Sequence, residues 1–283
     1  MNNLLLAAQA LKIVAGLAQL GFSIWLFVSE TRSPLNISFA AAFGLNGIAY
    51  ALFNLAAPGQ RSATSFAFQG RTVFNWLAAA AMLAFIVLVS TYVKRSGPLF
   101  LAAMVAVPVL VADLMSLRER NLSLSAFGGI ATYPLTAFIL GFLALAFSSA
   151  DTKFRQFSAF VSAALAINSV DHLGAEIIFP SPTPRVAVFL QIAAMVGVLA
   201  FWLVYALRNS TLRREALLVL VCFIAPFTAS LCVRLATGSY RGFQQSGIVG
   251  VGRLAAVLVL AYGTIAHHIF SIKTLPVTAR SAV

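Results

Sequence analysis

The stretch "GVGRLAAVLVLAYGTIAHHIFSIK", residues 250–273, decides the fold class of this chain. Between Arg253 and His267 it contains only apolar and small residues, apart from one tyrosine and one threonine, and no charge. Such a run, bounded by an arginine at one end and by His267, His268 and Lys273 at the other, is typical of a membrane-spanning helix.

The composition of the whole chain agrees with this interpretation. Of its 283 residues, 61% are hydrophobic and 9% are charged, whereas soluble domains carry about a quarter charged residues. We therefore predict an all-α, polytopic transmembrane bundle, forming one integral-membrane domain over residues 1–283 with a short cytoplasmic tail at 271–283. The net charge of +12 comes from scattered Lys and Arg. This pattern predicts contact with membrane lipids and excludes nucleic acid as a partner.

Nine apolar segments can be bracketed by charges and turn residues. The fourth segment is short and carries Asp113, so eight spans are the alternative. The first segment contains Lys12 and lacks a basic start, which predicts a retained span and not a cleaved signal peptide. The predicted segments are 4–28, 36–57, 72–93, 98–115, 125–148, 157–179, 186–207, 215–235 and 248–270.

The Lys and Arg residues in the connecting loops predict the orientation. Ten of them follow odd-numbered segments, and six follow even-numbered segments. Because positive charges accumulate in cytoplasmic loops, we expect the N-terminus outside and the C-terminus inside.

The richest polar stretch at membrane depth is "INSVDHLGAEIIF", residues 167–179. On a regular helix Asn168, His172 and Glu176 form one stripe, with Asp171 beside it. Ionisable groups at this depth are costly and mark function. Three functional interpretations stay open: a ligand pocket, a proton relay, and a metal site completed from other helices. The alternative is that these groups pair with basic residues and fix helix packing.

Successive spans run in opposite directions across the membrane, so the position of a polar residue along its span gives its depth. With nine spans, one half of the membrane contains most of the charged groups, which predicts an outward-facing polar pocket. The inner half would offer only Asn46, Gln191 and scattered hydroxyls, which favours a receptor-like pocket over a transmembrane proton path. The charged residues expected in the outer half are Lys12, Asp113, Asp171, Glu176, Arg234 and Arg253.

The twin histidines fall at the opposite end of the last segment. His267 and His268 would lie about 25 Å along the helix axes from His172, so we expect no metal shared between them. Neighbouring helical residues also point about 100° apart, which argues against a shared ion. We therefore expect no metal or cofactor, and we interpret the pair as the output end of the helix.

Two segments resemble a known family. "SPLNISFAAAFGLNGIAYALFNLA", residues 33–56, is similar to the second helix of the seven-transmembrane sensor regions that precede bacterial and archaeal histidine kinases. Residues 250–273 resemble the closing helix of those regions. Ala261 and Tyr262 match its "AY" pair, Phe270 and Ile272 match its apolar exit, and the twin histidines replace its usual basic pair.

The resemblance implies a sensor in the cell membrane of a prokaryote. The sequence ends about ten residues after the closing helix, without a kinase domain, so we expect a module that signals through a separate partner, a kinase or another membrane subunit. A small-molecule ligand would bind Asp171, His172, Glu176 and Arg253, with Asn168 and Lys12 behind them.

Two alternatives to the sensor stay open. One is a proton-coupled transporter that uses the acidic and histidine stripe, and the other is an accessory subunit of a larger membrane complex. We expect that the chain is not an enzyme, since the sequence contains no HExxH, GxSxG or DxxxD-type motif.

Overall fold

The computed structural model describes residues 2–29, 33–55, 66–93, 133–144, 152–171, 173, 185–208, 213–238 and 247–272. Within these ranges all regular structure is helical, which confirms the all-α class. The helices are α1 (Asn2–Ser29), α2 (Pro34–Leu55), α3 (Phe66–Val93), α4 (Tyr133–Ala144), α5 (Thr152–Ile167), α6 (Arg185–Arg208), α7 (Arg213–Thr237), a 3₁₀ turn (Gly247–Gly250) and α8 (Val251–His267).

Four of these helices are long and apolar enough to cross a bilayer. They are Leu6–Ser29, Pro34–Leu55, Gln69–Val93 and Arg213–Thr237. Large apolar side chains on the outside, such as Val28, Phe66 and Ile265, are at least 70% exposed. A surface of this kind fits a lipid environment better than water. The chain is therefore a membrane protein. The described helices do not support nine spans, because four have the required length while α4 and α8 are shorter, and segment 98–115 lies outside the described residues.

Helices α1 and α2 cross at a pair of glycines. A Cβ at Gly16 would stand 2.6 Å from the carbonyl oxygen of Gly47, and the reverse distance is also 2.6 Å. Only glycine allows two backbones to come this close. Gly44 and Gly47 belong to the small-residue stretch "FGLNG", residues 43–47, so the sequence contained the packing determinant of this crossing.

Helix α5 is the most deeply buried helix among those described. Every residue from Phe157 to Ile167 is buried. Its small residues, four alanines and two serines in "SAFVSAALAI", let the neighbouring helices approach on all sides. Helices α6, α7 and α8 all pack against it.

The last helix ends earlier than the sequence predicted. Helix α8 stops at His267, and His268 adopts a left-handed conformation with φ 49°, its N–H bonding to the carbonyl of Thr264. Segment 248–270 is therefore not one helix to its end. The chain turns back, and Ile269 and Phe270 become fully buried.

The start of α2 holds this returning segment. Ser33 caps α2 by accepting a hydrogen bond from the N–H of Asn36, with Pro34 in the first helical position. The side-chain Nδ2 of Asn36 donates to the carbonyl of Phe270 at 2.7 Å. The ring of Phe270 lies 5.5 Å from that of Phe39, measured between centroids. The predicted exit segment is thus part of the core.

The contacts define two ends of the bundle. At the His267 end, the starts of α2, α5 and α7 meet the end of α8. At the Arg253 end, the start of α8 meets α1, α2 and the end of α5. These names are used below because they do not depend on the orientation of the chain in the membrane.

Candidate functional site

A cluster of four polar side chains from three helices surrounds the first turn of α8. Arg253 Nη1 donates to Gln19 Oε1 of α1 at 2.8 Å and to Asn46 Oδ1 of α2 at 2.6 Å. Gln19 Nε2 also donates to Asn46 Oδ1, at 3.4 Å. The Arg253 guanidinium lies 3.9 Å from the centroid of the Tyr50 ring. We call Gln19, Asn46, Tyr50 and Arg253 the Arg253 cluster.

The glycine crossing of α1 and α2 brings the two amides of the cluster together. A Cβ at Gly47 would stand 2.9 Å from Gln19 Cβ, so the missing side chain leaves space for Gln19. Asn46 is the neighbour of Gly47 and reaches the same space. Gln19 and Asn46 are both buried. The close backbone contact is therefore the structural cause of the amide pair.

The cluster stabilises a buried positive charge. Arg253 is only 8% exposed, and a buried cation is costly unless polar groups surround it. Two amide oxygens and the negative face of the Tyr50 ring supply this environment. Arginine keeps its charge at all physiological pH values, so Arg253 can anchor an electron-rich group but cannot carry protons.

The guanidinium of Arg253 retains hydrogen-bonding capacity. Its Nε is buried, and no acceptor among the described residues bonds to it. A guanidinium has five N–H donors arranged in a planar fork, which suits carboxylate, phosphate and carbonyl oxygens. The cluster is thus chemically equipped to bind a ligand that carries such an oxygen.

Asp171 lies next to the start of α8. It is fully buried, and its Cγ would be 3.3 Å from a Cβ placed on Gly252. It is close enough to Arg253 for an electrostatic interaction. The hydroxyl of Ser230 in α7 donates to the backbone carbonyl of Asp171. Asp171 and Arg253 therefore lie on the same side of the bundle, near the start of α8.

The helix that carries Asp171 is not regular throughout. Helix α5 ends at Ile167, and the N–H of Ser169 bonds to the carbonyl of Ala166, three residues back, in a tightened turn. The Ser169 carbonyl accepts a hydrogen bond from Gln191 Nε2 of α6 at 3.0 Å. The unbroken helix expected from 157 to 179 is wrong at this turn.

Asn168, a member of the predicted stripe, lies in this turn. It is 2% exposed, and its Oδ1 has no hydrogen-bond partner among the described residues. Two other predicted site residues, His172 and Glu176, lie outside the described residues, as does Asp113, so the stripe as a whole stays a prediction.

Two further cations that the sequence assigned to this half of the membrane are also buried. Lys12 is 3% exposed, and its Cα would be 3.4 Å from a Cβ on Gly250. Arg234 is 2% exposed on α7, one turn after Ser230. Both lie near the Arg253 end, and both have polar or electrostatic partners.

Two polar residues lie at the opposite depth from the one expected. The sequence analysis placed Asn46 and Gln191 in the half of the membrane away from Arg253. Instead, Asn46 bonds to Arg253, and Gln191 bonds to the carbonyl of Ser169, two residues from Asp171. The concentration of polar groups near the Arg253 end is therefore stronger than predicted.

The twin histidines have different environments at the other end of α8. His267 Nε2 lies 3.4 Å from Glu215 Oε1, within ion-pair range but without a hydrogen bond. Its ring packs 5.3 Å from Phe160, and its carbonyl accepts a hydrogen bond from Lys153 Nζ at 3.0 Å. His268 instead ends the helix. The two residues thus have separate structural roles.

The sequence analysis missed Gln19 and Tyr50 and misplaced Asn46. Gln19 stands in an apolar run three residues after Gly16, where a polar residue faces the helix that the glycine contacts. Asn46 and Tyr50 are four residues apart on α2, so they share a face. The positions of Gly16 and Gly47 were the signal in the sequence that could have identified the helix faces carrying these three residues.

Comparisons with models of protein families, with curated proteins and with solved structures find no significant match to this chain. The resemblance to sensor regions of histidine kinases therefore stays a prediction.

Proposed function

We propose that the chain is a multi-pass membrane sensor of receptor type, which binds a small ligand at the Arg253 cluster and signals through a partner at the His267 end. The observation that carries this proposal is the buried Arg253 Nε, which no acceptor in the described part of the chain satisfies. A ligand with a carboxylate or carbonyl oxygen would complete the hydrogen bonding of the guanidinium.

The surroundings of the cluster fit a ligand that is small and polar. Gln19 and Asn46 already accept hydrogen bonds from the guanidinium, and Asp171, which follows the turn after α5, contributes negative charge. These groups present both donors and acceptors within a short distance. In the sensor interpretation, His172 and Glu176 of the predicted stripe would add to the same pocket.

Helix α8 provides the connection between the two ends. Arg253 lies in its first turn and His267 is its last residue, about 21 Å apart along the axis. The helix also packs closely on α5, since a Cβ at Gly263 would stand 2.9 Å from the ring of Phe160. A ligand that shifts Arg253 would therefore change the packing of the Phe160, Glu215 and His267 side chains.

The proposed orientation places the Arg253 end outside and the His267 end in the cytoplasm of a prokaryotic cell. Basic residues support it. Both ends of the loop between α6 and α7 carry arginines, and the start of α5 carries two more basic residues. They are Lys153, Arg155, Arg208, Arg213 and Arg214. Positive charges of this density are typical of cytoplasmic loops.

Thermal unfolding of the purified protein in detergent tests the proposal. We expect a member of a panel of small carboxylates and amino acids to raise the Tm of the wild type. Arg253→Lys keeps the charge but lacks the planar fork, so it should lose this rise. Arg71→Lys, on α3, is the matched control and should keep it. An equal Tm rise in Arg253→Lys would contradict the proposal.

A proton-coupled transporter is the second candidate, and the buried carboxyl of Asp171 favours it. A buried Asp beside a fixed cation can exchange a proton during a transport cycle. Uptake into vesicles under an imposed pH gradient, lost in Asp171→Asn, would favour this candidate over the sensor. The gathering of Asn46 and Gln191 near the Arg253 end speaks against a polar path through the whole membrane.

A further inference from the structure

An open apolar groove of about 180 Å³ lies between α4 and α6. Its rings Phe138 and Phe142 are 39% and 59% exposed. Within it α6 comes close to the Phe138 ring, since a Cβ at Gly197 would stand 2.6 Å from that ring. The residues that line it are Phe138, Phe142, Gly197, Ala200, Phe201 and Val204.

An exposed arginine continues the line of this groove along α6. Arg208 follows Gly197 by eleven residues, which is about three full turns of an α-helix, so the two residues point in directions only about 20° apart. It follows Val204 by four residues, about one turn. The two groove residues and Arg208 therefore share one face of α6. The charge lies just beyond the groove, at the His267 end.

Other cations lie at the same end of the bundle as Arg208. Arg155 of α5 lies with its Cζ 5.7 Å from the ring centroid of Tyr205, three residues before Arg208. Arg213 and Arg214 begin α7 and are exposed. Of the residues described at this end, Glu215 alone carries a carboxylate, and it is buried beside His267. Among the described residues, basic side chains therefore outnumber acidic ones at this end of the bundle.

We infer that this groove binds one anionic phospholipid, with an acyl chain along α4 and α6 and the phosphate at Arg208 and Arg155. An apolar channel leading to a cluster of arginines matches both parts of such a lipid. Basic pockets between membrane helices bind anionic headgroups in this way. The inference concerns a different face of the molecule from the Arg253 cluster and does not depend on the proposed function.

Native mass spectrometry of the full chain, with phosphatidylglycerol or phosphatidylcholine added to the detergent, tests the headgroup. We expect the wild type to retain phosphatidylglycerol in preference to phosphatidylcholine. Arg208→Gln should weaken phosphatidylglycerol binding by about fivefold, because one arginine near a phosphate contributes about 1 kcal/mol. Arg71→Gln removes the same charge near the other end and should leave binding unchanged.

A second pair of variants tests the acyl-chain groove. Ala200→Phe places a ring in the groove and should reduce retention of either lipid at this site, while Val196→Phe changes an exposed position that does not line the groove. Equal retention of the two lipids by the wild type would overturn the inference. So would equal binding by Arg208→Gln and Arg71→Gln, or by Ala200→Phe and Val196→Phe. Size-exclusion chromatography of each variant confirms that it is folded.

Discussion

Arg253 Nη1 donates to Asn46 Oδ1 at 2.6 Å, and this bond joins the first turn of α8 to the middle of α2 across 207 residues of sequence. It is a charge-assisted hydrogen bond in a buried environment, the type that contributes most to stability. It also determines where the start of α8 lies relative to the glycine crossing of α1 and α2.

We predict that Arg253 and Asn46 are energetically coupled. In a double-mutant cycle of Arg253→Gln and Asn46→Ala, unfolding in detergent should give a coupling free energy of about 1–3 kcal/mol. The control cycle pairs Arg253→Gln with Ser90→Ala, a buried hydroxyl on α3. In this control cycle the changes in unfolding free energy of the two single variants should add up to that of the double variant. Additivity in the first cycle would show that the bond contributes nothing.

The glycine crossing gives a second prediction. Gly47→Ala should lower the free energy of unfolding by about 1–3 kcal/mol, because its Cβ would lie 2.6 Å from the carbonyl oxygen of Gly16. Gly21→Ala, on α1, is the matched control, since nothing lies within 4 Å of its Cβ position. It should be neutral or stabilising by up to about 1 kcal/mol. Chemical unfolding followed by tryptophan fluorescence measures both, and equal effects would contradict the prediction.

Much of the fold follows from the sequence. Uncharged runs bounded by Lys, Arg, Gly and Pro mark the helices, since backbone groups in lipid must be satisfied within each helix. Counting helices and their directions predicted one shared depth for Lys12, Asp171 and Arg253. The same counting assigned Asn46 and Gln191 to the other half of the membrane, whereas both bond to groups near the Arg253 end.

Lateral contacts are harder to predict than depth. Gln19 and Asn46 meet because α1 and α2 cross at Gly16 and Gly47, and the rotation of each helix depends on its neighbours. The turn at Ser169 was also missed, and α8 ends three residues before the predicted bound at 270. Neither place is marked by Gly or Pro, so tertiary packing outweighs local pattern there.

The buried return of the chain after α8 gives a third prediction. Phe270→Ala should cost about 3–5 kcal/mol of unfolding free energy, because its ring is fully buried among aromatic neighbours. Ile265→Ala removes an equally apolar side chain that is 70% exposed, and it should change stability by less than about 0.5 kcal/mol. Thermal melts in the same detergent compare the two. Similar losses would mean that Phe270 is not in the core.

The environment of His267 gives the last prediction, which separates ring packing from charge. The ring contacts Phe160 and Tyr262, with centroids 5.3 and 5.9 Å away, while the Glu215 oxygen is 3.4 Å from Nε2 without a hydrogen bond. Aromatic pairs contribute about 0.5–1.5 kcal/mol beyond burial, whereas an ion pair of this geometry contributes at most about 1 kcal/mol. We therefore expect His267→Phe to retain most of the stability that His267→Ala loses. Glu215→Gln should reduce the difference between wild type and His267→Phe. If His267→Phe and His267→Ala unfold at the same temperature, the charge and not the ring stabilises this end of α8.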